Sequence, residues 1–308
     1  MDVGLDRLVP DGTRELAAES RAFYAAREER RGPASAEELR QARAAQVRAP
    51  LPAGVHVERV VGAPGHDIPL SISLPEGTDV RGVYLDIPGG GFYLGPTTGG
   101  DVRNAALAAS LGIAVVSVEH RLAPEDPWPA APDDCEAAAL WLLDHAGERF
   151  GTEALAIGGS SAGATLAMTT LLRLRDRGLA QAVAGAVLQF GTYDLSGQTP
   201  AGRLIADEYF LEAYAGHVPD HTLPDVSPVY GDLRGLPPVL LVVGAADVLL
   251  EDNLAMAGRL VAAGVEVDLR VYPESPHGFT GHPTGMARAA LAERDSWLAE
   301  RLAAHAGA

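Results

Sequence analysis

The 308-residue chain contains no lysine, so each of its 24 basic side chains is an arginine. This absence excludes a P-loop lysine, an internal Schiff base with pyridoxal phosphate and a lysine nucleophile. The chain also has a single cysteine, Cys135, which leaves no disulfide to form within it and is typical of a reducing cytoplasm. Because Cys135 falls in a helical stretch, we expect a buried, unreactive thiol.

Positive charge is scarce overall, and the long apolar runs of membrane proteins are missing. The formal net charge of −17 argues against nucleic acid and anionic membrane surfaces as partners. No run approaches the length of a membrane span, and residues 1–7 lack the apolar core of a signal peptide. With 47% hydrophobic residues, the chain can bury a large core. We therefore expect a single soluble protein that is located in the cytoplasm and has no membrane span.

A tight strand–turn–helix connection is indicated near residue 160. An apolar run at 154–157 is followed by Gly-Ser-Ser-Ala-Gly at 159–163 and then by a helical pattern. A nucleophile elbow has this order, with small residues two positions before and after the nucleophile. Gly159 and Gly163 meet that demand around Ser161, whereas a nucleophile at Ser160 would be followed two positions later by Ala162. Ser161 is the candidate nucleophile, and an ordinary tight turn is the alternative.

Two polar residues follow later apolar stretches, at positions where parallel strands would end. Asp247 ends the apolar segment 238–246, and His277 follows the strand-like segment 265–271 in a turn rich in proline and glycine. A serine hydroxyl needs a base and an acid that orients the base. The chain order Ser161, Asp247, His277 is that of α/β-hydrolases rather than that of the two large serine-protease folds.

Other acids and histidines compete for these roles. Asp252 lies five residues after Asp247 but within a helical pattern, so we interpret it as a carboxylate stabilised by a helix N-terminus. His282 precedes a proline, and no strand leads directly into it. Four further histidines fit surface or loop positions: His120, His145, His217 and His221.

A glycine-rich turn supplies candidate donors for an oxyanion. Gly89 and Gly90 belong to the segment Pro-Gly-Gly-Gly-Phe-Tyr at 88–93, which follows a predicted strand at 82–87. Glycine lets main-chain N–H groups approach a substrate closely. A phosphate-binding loop is the alternative, but no Lys-Ser/Thr pair follows these glycines.

Several segments together resemble the hormone-sensitive-lipase-like branch of the α/β-hydrolase fold, the bacterial esterases with an HGGG loop. The resemblance covers roughly residue 55 to the C-terminus. HRLAPE at 120–125 is similar to the family's YRLAPE, GGSSAG at 158–163 to its GDSAG, and PHGF at 276–279 to its HGF end. Ser-Pro at 227–228 and Leu-Pro-Pro at 236–238 match its approach to the acid-bearing strand. All these segments occur in the family's order.

The resemblance implies acyl-enzyme chemistry without a cofactor or a metal. Ser161 would attack an acyl carbon, His277 would take and return the proton, and Asp247 would orient the imidazole. Three main-chain N–H groups would hold the oxyanion, those of Gly89, Gly90 and Ala162.

Three positions depart from the family pattern. Pro88 stands where the family has the histidine of HGGG, which removes an imidazole and a main-chain donor. Ser160 precedes the nucleophile where the family commonly has Asp or Glu. Asp86 is an unexpected carboxylate near the end of a buried strand. Either neighbouring main-chain groups satisfy Asp86, or a second acid beside the oxyanion loop changes the chemistry.

The apolar pattern predicts an α/β fold with a mostly parallel central sheet flanked by helices. Eight strands are expected, with helices between them from the fourth onward. The predicted strands lie near residues 56–62, 68–74, 82–87, 113–118, 154–158, 184–190, 238–243 and 266–271.

By the same resemblance, residues 1–50 are the N-terminal part of a helical cap, with helices at 14–30 and 35–47. Residues 51–308 are the catalytic domain, and a second cap segment interrupts it at about 197–226. Four aromatic residues are candidates for a substrate pocket, although those of the cap can also serve packing alone: Phe92, Tyr93, Tyr209 and Phe210.

These observations favour a hydrolase that cleaves carboxylic esters of small to medium acyl chains. The same three catalytic residues would also serve acyl transfer, ring closure or elimination in a specialised pathway. A third hypothesis is a ligand-binding module with a hydrolase shell, as in the plant gibberellin receptors. Those receptors depart from the family's catalytic histidine, whereas this chain has His277. The expected partner is a small acyl ester, and a homodimer is a further hypothesis.

Overall fold

The computed structural model describes residues 8–27, 31–46, 50–62, 66–77, 79–95 and 98–307. Eight strands form one sheet: β1 (Val55–Val61), β2 (Asp67–Ser73), β3 (Val83–Ile87), β4 (Ala114–Val118), β5 (Leu155–Ser160), β6 (Val183–Gln189), β7 (Val239–Gly244) and β8 (Val267–Tyr272). Each predicted strand is confirmed to within two residues at either end.

The sheet has the order β1-β2-β4-β3-β5-β6-β7-β8. Strands β3 to β8 run parallel to one another, and only the pairs β1–β2 and β2–β4 are antiparallel. Strands β4 and β5 flank β3, so the carboxyl ends of the central parallel strands meet at one edge of the sheet. In parallel sheets, this edge is where a ligand site is built.

Nine α-helices occur in the described part of the chain: α1 (Ala17–Ala25), α2 (Ala36–Ala45), α3 (Thr98–Leu111), α4 (Ala130–Phe150), α5 (Ala162–Asp176), α6 (Pro200–Arg203), α7 (Tyr209–Ala215), α8 (Leu250–Ala262) and α9 (Gly285–Ala306). The helix α3 precedes the fourth strand, where none was predicted. Its first turn contains two glycines, which have low helix propensity and obscure the pattern.

Helices cover both faces of the sheet. Helices α4, α5 and α8 pack on one face, where Leu142 and Leu166 belong to the larger apolar cluster. Helices α3 and α9 pack on the other face, where Tyr84 and Trp297 belong to a second cluster. Because both faces are buried, the central strands have almost no exposed residue, as their nearly continuous apolar sequences predict.

The N-terminal helices contact loops at the carboxyl edge of the sheet. On α1, Ser20 Oγ donates to the main-chain carbonyl of Glu274 at 2.7 Å. On α2, the Arg43 guanidinium donates to the carbonyls of Tyr93 and Ala123 at 2.8 and 2.6 Å. Both helices are shorter than predicted, and the predicted residues 28–30 and 47 lie outside the described ranges.

The segment 197–226 contains only the short helices α6 and α7 and several turns. Its α7 carries Phe210 to the carboxyl edge of the sheet. Within the described ranges, no helix is both long and apolar enough to cross a lipid bilayer.

Candidate active site

Ser161 occupies a sharp turn between β5 and α5. Its backbone angles are φ 54° and ψ −125°, a region that non-glycine residues rarely adopt. A hydrogen bond from its N–H to the carbonyl of Gln189, at 2.9 Å, fixes the turn against β6. A Cβ on Gly159 or Gly163 would collide with main-chain atoms, including the carbonyl of Ile87. Strand and helix can therefore approach closely enough to present the Ser161 side chain.

His277 and Asp247 complete a hydrogen-bonded line with Ser161. Ser161 Oγ lies 2.9 Å from His277 Nε2, and His277 Nδ1 lies 3.1 Å from each carboxylate oxygen of Asp247. The Asp247 side chain is fully buried and also accepts the N–H of Leu249, whereas 39% of the His277 side chain is exposed. The rings of Phe190 and His277 pack edge to face at a centroid distance of 5.1 Å. The structure thus brings the three predicted residues together. The imidazole of His277, the candidate base, lies between the candidate nucleophile Ser161 and the orienting acid Asp247.

Asp252 is correctly placed in the first turn of α8, but the interpretation of it as a dipole-stabilised carboxylate is incomplete. Its side chain is 1% exposed, and one oxygen accepts the N–H groups of Tyr193 and Asp194 at 2.5 and 3.2 Å. The other oxygen is buried with no hydrogen-bond partner among the described residues. Burial raises the pKa of Asp252 to about 6. Asp252 therefore supports the loop after β6 and does not reach His277.

The glycine-rich loop lies beside the Ser161 turn. Gly90 and Gly91 have φ angles of +126° and +60°, which favour glycine. A Cβ on Gly89 would overlap the carbonyl of Ser160, so this position also requires glycine. The N–H groups of Gly89 and Gly90 donate to no acceptor among the described residues and are available to a ligand. Gly89, Gly90 and Ser161 line the same cavity, and Ala162 begins α5 directly after Ser161.

His120 lies in the loop that follows β4, one of its two predicted positions, but it is buried rather than on the surface. It is 7% exposed, and its imidazole interacts with the main chain of Pro88. Because proline has no N–H, the group that interacts is the Pro88 carbonyl. Its Nδ1 also lies 2.8 Å from the carbonyl of Arg121. Burial lowers the pKa of His120, although both carbonyls oppose this effect. Sequence reasoning missed this contact because residues 88 and 120 meet only through the pairing of β3 with β4.

Two cavities meet at Ser161 and His277. The larger has a volume of about 520 Å³ and extends along the oxyanion loop towards α3 and α9, past Asp86, Asn104 and Arg294. The smaller has a volume of about 130 Å³ and a mostly apolar lining, including Phe92, Ile205, Phe210, Val248 and Leu249. The nucleophile therefore stands between a large cavity with polar and apolar lining residues and a small cavity with a mostly apolar lining.

Asp86 lines the larger cavity, and side chains rather than main-chain groups, the first of the two alternatives for this residue, donate to it. Its Oδ2 accepts hydrogen bonds from Asn104 Nδ2 and Ser117 Oγ, both at 2.9 Å. Ser117 is its register partner on β4, whereas Asn104 comes from α3. The helix and the pairing of two distant strands are needed to assemble this contact, so the sequence alone could not reveal it.

The four candidate pocket aromatics have different positions. Phe210 lines both cavities, Phe92 the smaller and Tyr93 the larger. Phe92 stacks on Tyr214 at a centroid distance of 3.9 Å. Tyr209 is absent from the described lining of both cavities. Its ring lies beside that of Tyr93, at a centroid distance of 6.2 Å.

The remaining candidates lie apart from the catalytic line. His282 Nδ1 is 3.0 Å from the Tyr24 hydroxyl, so its ring connects α1 to the loop after His277. Cys135 is buried in α4, as expected, and burial raises the pKa of its thiol well above the usual value. Ser160 lines the larger cavity but makes no hydrogen bond to His277. The described residues contain no cluster of three His, Cys, Asp or Glu side chains that could hold a metal ion.

Comparisons with known proteins agree with this architecture. A family model for the alpha/beta hydrolase fold matches residues 84–281. Carboxylesterase NlhH of Mycobacterium tuberculosis is 33% identical over 291 residues, which cover 87% of this chain and 90% of NlhH. Carboxylic ester hydrolase LipN of the same species is 31% identical over 235 residues, 71% of this chain but only 62% of LipN. A crystal structure of a hormone-sensitive lipase from a metagenome library is 28% identical with a TM-score of 0.72, and the match covers 96% of this chain and 99% of that one.

A mostly parallel sheet with a serine at a strand-to-helix elbow defines the α/β-hydrolase class. The chain belongs to that family and, within it, to the hormone-sensitive-lipase-like bacterial esterases.

Proposed function

We propose that the chain hydrolyses carboxylic esters of small to medium acyl chains through an acyl-enzyme on Ser161. The observation that carries this proposal is the unbroken line from Ser161 Oγ through the imidazole of His277 to Asp247, at 2.9 and 3.1 Å. Relatives named as carboxylesterases support the same reaction class. A ligand-binding module has no need of a base within hydrogen-bond distance of a strained serine.

In the proposed mechanism, His277 Nε2 takes the Ser161 hydroxyl proton as Oγ attacks the acyl carbon. The N–H groups of Gly89, Gly90 and Ala162 stabilise the oxyanion that forms. Nε2 then gives its proton to the alcohol oxygen as the ester bond breaks. Water repeats the sequence on the acyl-enzyme, and the carboxylic acid leaves. Asp247 keeps Nδ1 protonated and the ring in place.

The two cavities divide the ester between them, with the acyl group on one side of Ser161 and the alcohol on the other. An apolar cavity of about 150 Å³ holds a molecule the size of benzene. The smaller cavity, at about 130 Å³, therefore accepts a chain of roughly six carbons or fewer. The larger cavity, at about 520 Å³, falls in the range of ordinary ligand pockets.

Two ester series test the proposal. One consists of p-nitrophenyl esters from acetate to decanoate, and the other of acetates of alcohols of the same lengths. We expect hydrolysis in both series, with kcat/KM falling beyond about six carbons in one of them. Analysis of the products distinguishes hydrolysis from acyl transfer or elimination. A protein that cleaves no member of either series and resists labelling at Ser161 would instead be a binding module.

We also propose a two-part cap over the site, a cytoplasmic location and a homodimer. Contacts of α1 and α2 with the loops at residues 274 and 93 support the N-terminal part of the cap, and Phe210 supports the part at about 197–226. The buried thiol of Cys135 is compatible with the cytoplasm. The edge strand β8 offers main-chain groups that a second copy could pair with. Light scattering after gel filtration tests the dimer.

A further inference from the structure

The wall of the larger cavity contains a carboxylate from the central strand β3. Asp86 and Tyr84 point to the same face of the sheet because they lie two residues apart on β3. This is the face covered by α3 and α9, and both residues line the cavity together with Asn104 and Arg294 from those helices. A carboxylate therefore stands inside the wall of a space that opens directly onto Ser161.

One oxygen of Asp86 is occupied and the other is open. Asn104 and Ser117 both donate to Oδ2, whereas Oδ1 accepts no hydrogen bond from the described residues. Oδ1 is also absent from the buried unpaired atoms found in the described ranges, so it is accessible from the cavity. The neutral donors Asn104 and Ser117 thus fix the orientation of the carboxylate, and its Oδ1 remains available to accept a hydrogen bond from a group in the cavity.

No described cation neutralises Asp86. No arginine or histidine of the described ranges lies within 4.0 Å of its oxygens. Arg294 is the nearest cationic candidate on α9, but its guanidinium is engaged by Asp295 at 2.5 and 2.7 Å. The other charged residues of the lining are Asp101, Arg103 and Glu208. A half-buried carboxylate without a counter-charge depends on hydrogen-bond donors, and Asn104 and Ser117 supply them to Oδ2 only.

We propose that the larger cavity is a subsite for a hydrogen-bond donor on the substrate, a hydroxyl or an ammonium group, and that Asp86 selects it. The inference rests on the proposed ester hydrolysis and narrows its substrate to polar esters. The donor would sit on the part of the ester, acyl or alcohol, that occupies the larger cavity. The apolar part would occupy the smaller cavity, whose lining offers Phe92, Ile205 and Leu249.

Matched esters provide the test. The p-nitrophenyl esters of heptanoic, 6-hydroxyhexanoic and 6-ammoniohexanoic acids carry a methyl, a hydroxyl or an ammonium group at the same distance from the acyl carbon. The acetates of heptan-1-ol and hexane-1,6-diol make the same methyl-to-hydroxyl change on the alcohol side. The readout is the ratio of kcat/KM for the donor ester to that for its methyl partner, measured for the wild type, Asp86→Asn and Glu208→Gln. Glu208 is the matched control because it is an exposed carboxylate of the same cavity.

We expect the wild-type ratio to be about ten or more in one of the two series, as befits a hydrogen bond to a charged group. Asp86→Asn should bring that ratio to near one, and Glu208→Gln should leave it within about twofold. A larger ratio for ammonium than for hydroxyl identifies charge as part of the recognition, and equal ratios identify the hydrogen bond alone. A ratio near one in both wild-type series, or a ratio that Asp86→Asn does not change, overturns the proposal.

A binding measurement separates this inference from the proposed hydrolysis. In Ser161→Ala protein the same intact esters are titrated by calorimetry, with and without Asp86→Asn. If donor esters bind more tightly than their methyl partners and Asp86→Asn removes this difference, the subsite is supported. A wild type that hydrolyses no ester would then refute the proposed hydrolysis but not the subsite. The single variant Asp86→Asn retains Ser161, and its labelling by a fluorophosphonate shows that the substitution has kept the folded site.

Discussion

The imidazole of the buried His120 interacts with the main-chain carbonyl of Pro88, the residue at which the oxyanion loop begins. Pro88 replaces the histidine that related esterases carry, so the loop lacks one of their side chains. His120 supplies an imidazole from the neighbouring strand end instead. We expect the loop geometry, and with it the N–H groups of Gly89 and Gly90, to depend on this contact.

His120→Leu should lower kcat about tenfold and change KM less than twofold, because the loss of the imidazole beside the Pro88 carbonyl lets the oxyanion donors shift. His120→Gln retains a side-chain N–H and should recover part of the loss. Steady-state kinetics with p-nitrophenyl acetate measure both variants. Equal kcat values for the wild type and His120→Leu would show that the loop holds its position without the imidazole.

Ser161 should be the residue that a fluorophosphonate labels, because His277 lies within 2.9 Å of its hydroxyl and makes no hydrogen bond to Ser160. Ser161→Ala should fold normally and lose about 10⁴-fold or more in kcat. Ser160→Ala is the matched control and should remain labelled. Mass spectrometry of the labelled peptide decides between the two, and label retained in Ser161→Ala would refute the assignment.

The two neighbouring carboxylates Asp247 and Asp252 should differ sharply in their effect on catalysis. Asp247→Asn leaves the imidazole of His277 in the wrong tautomer and should lower kcat by about 10⁴-fold. Asp252→Asn should lower kcat less than tenfold, because Asp252 contacts the N–H groups of Tyr193 and Asp194 rather than the imidazole. Activity measured side by side tests the pair, and a reversed order of losses would exchange their roles.

Asp252 should instead make stability depend on pH. Burial raises its pKa to about 6, and the nearby charges of Asp194 and Glu251 add to this effect. Because the unfolded chain has a pKa near 3.9, the stabilising contribution is complete below about pH 4 and is lost as pH rises through about 6. Relative to Asp252→Asn, the wild type should lose about 1 kcal/mol in free energy of unfolding between pH 5 and pH 7.5. Urea unfolding at the two pH values measures this difference, and parallel pH profiles would contradict it.

Gly163 should tolerate no larger residue. A Cβ at this position would collide with the carbonyls of Ile87 and Pro88, which are main-chain atoms and cannot rotate away. Gly163→Ala should therefore lower the free energy of unfolding by about 2 kcal/mol or more. Gly258 on α8 is the matched control, because a Cβ there meets open space. Gly258→Ala should stabilise the protein by about 0.5–1 kcal/mol. Urea unfolding of both variants provides the comparison, and similar effects would show that the elbow can relax.

The sheet was readable from the sequence because each central strand is a short apolar run bounded by turn residues. The same logic brought Ser161, Asp247 and His277 to one edge, since residues that follow parallel strands share that edge. Because the central strands are buried on both faces, their apolar runs are easy to recognise even where the neighbouring helices are not. The helix α3 was missed because its first turn contains two glycines.

Contacts that depend on strand order were not readable. Asp86 meets Ser117 only because β4 lies beside β3 in a register that pairs these two residues. His120 is buried for a related reason, since the strand that precedes it ends under the oxyanion loop. Asp252 has the local sequence of an exposed helix start, but the loop after β6 packs against it. Local pattern cannot report such packing between distant segments.

The hydrogen bond between Ser20 and Glu274 spans 254 positions of the chain. At a synthesis rate of about 5–20 residues per second, roughly 13–50 seconds pass between the emergence of these two partners. During that time α1 has no surface on which to bury its contacts, and an isolated helix of nine residues is too short to persist in water. Helix α1 is synthesised before any strand of the sheet, yet we expect it to pack among the last elements and to cover the histidine loop only after the whole sheet has been made.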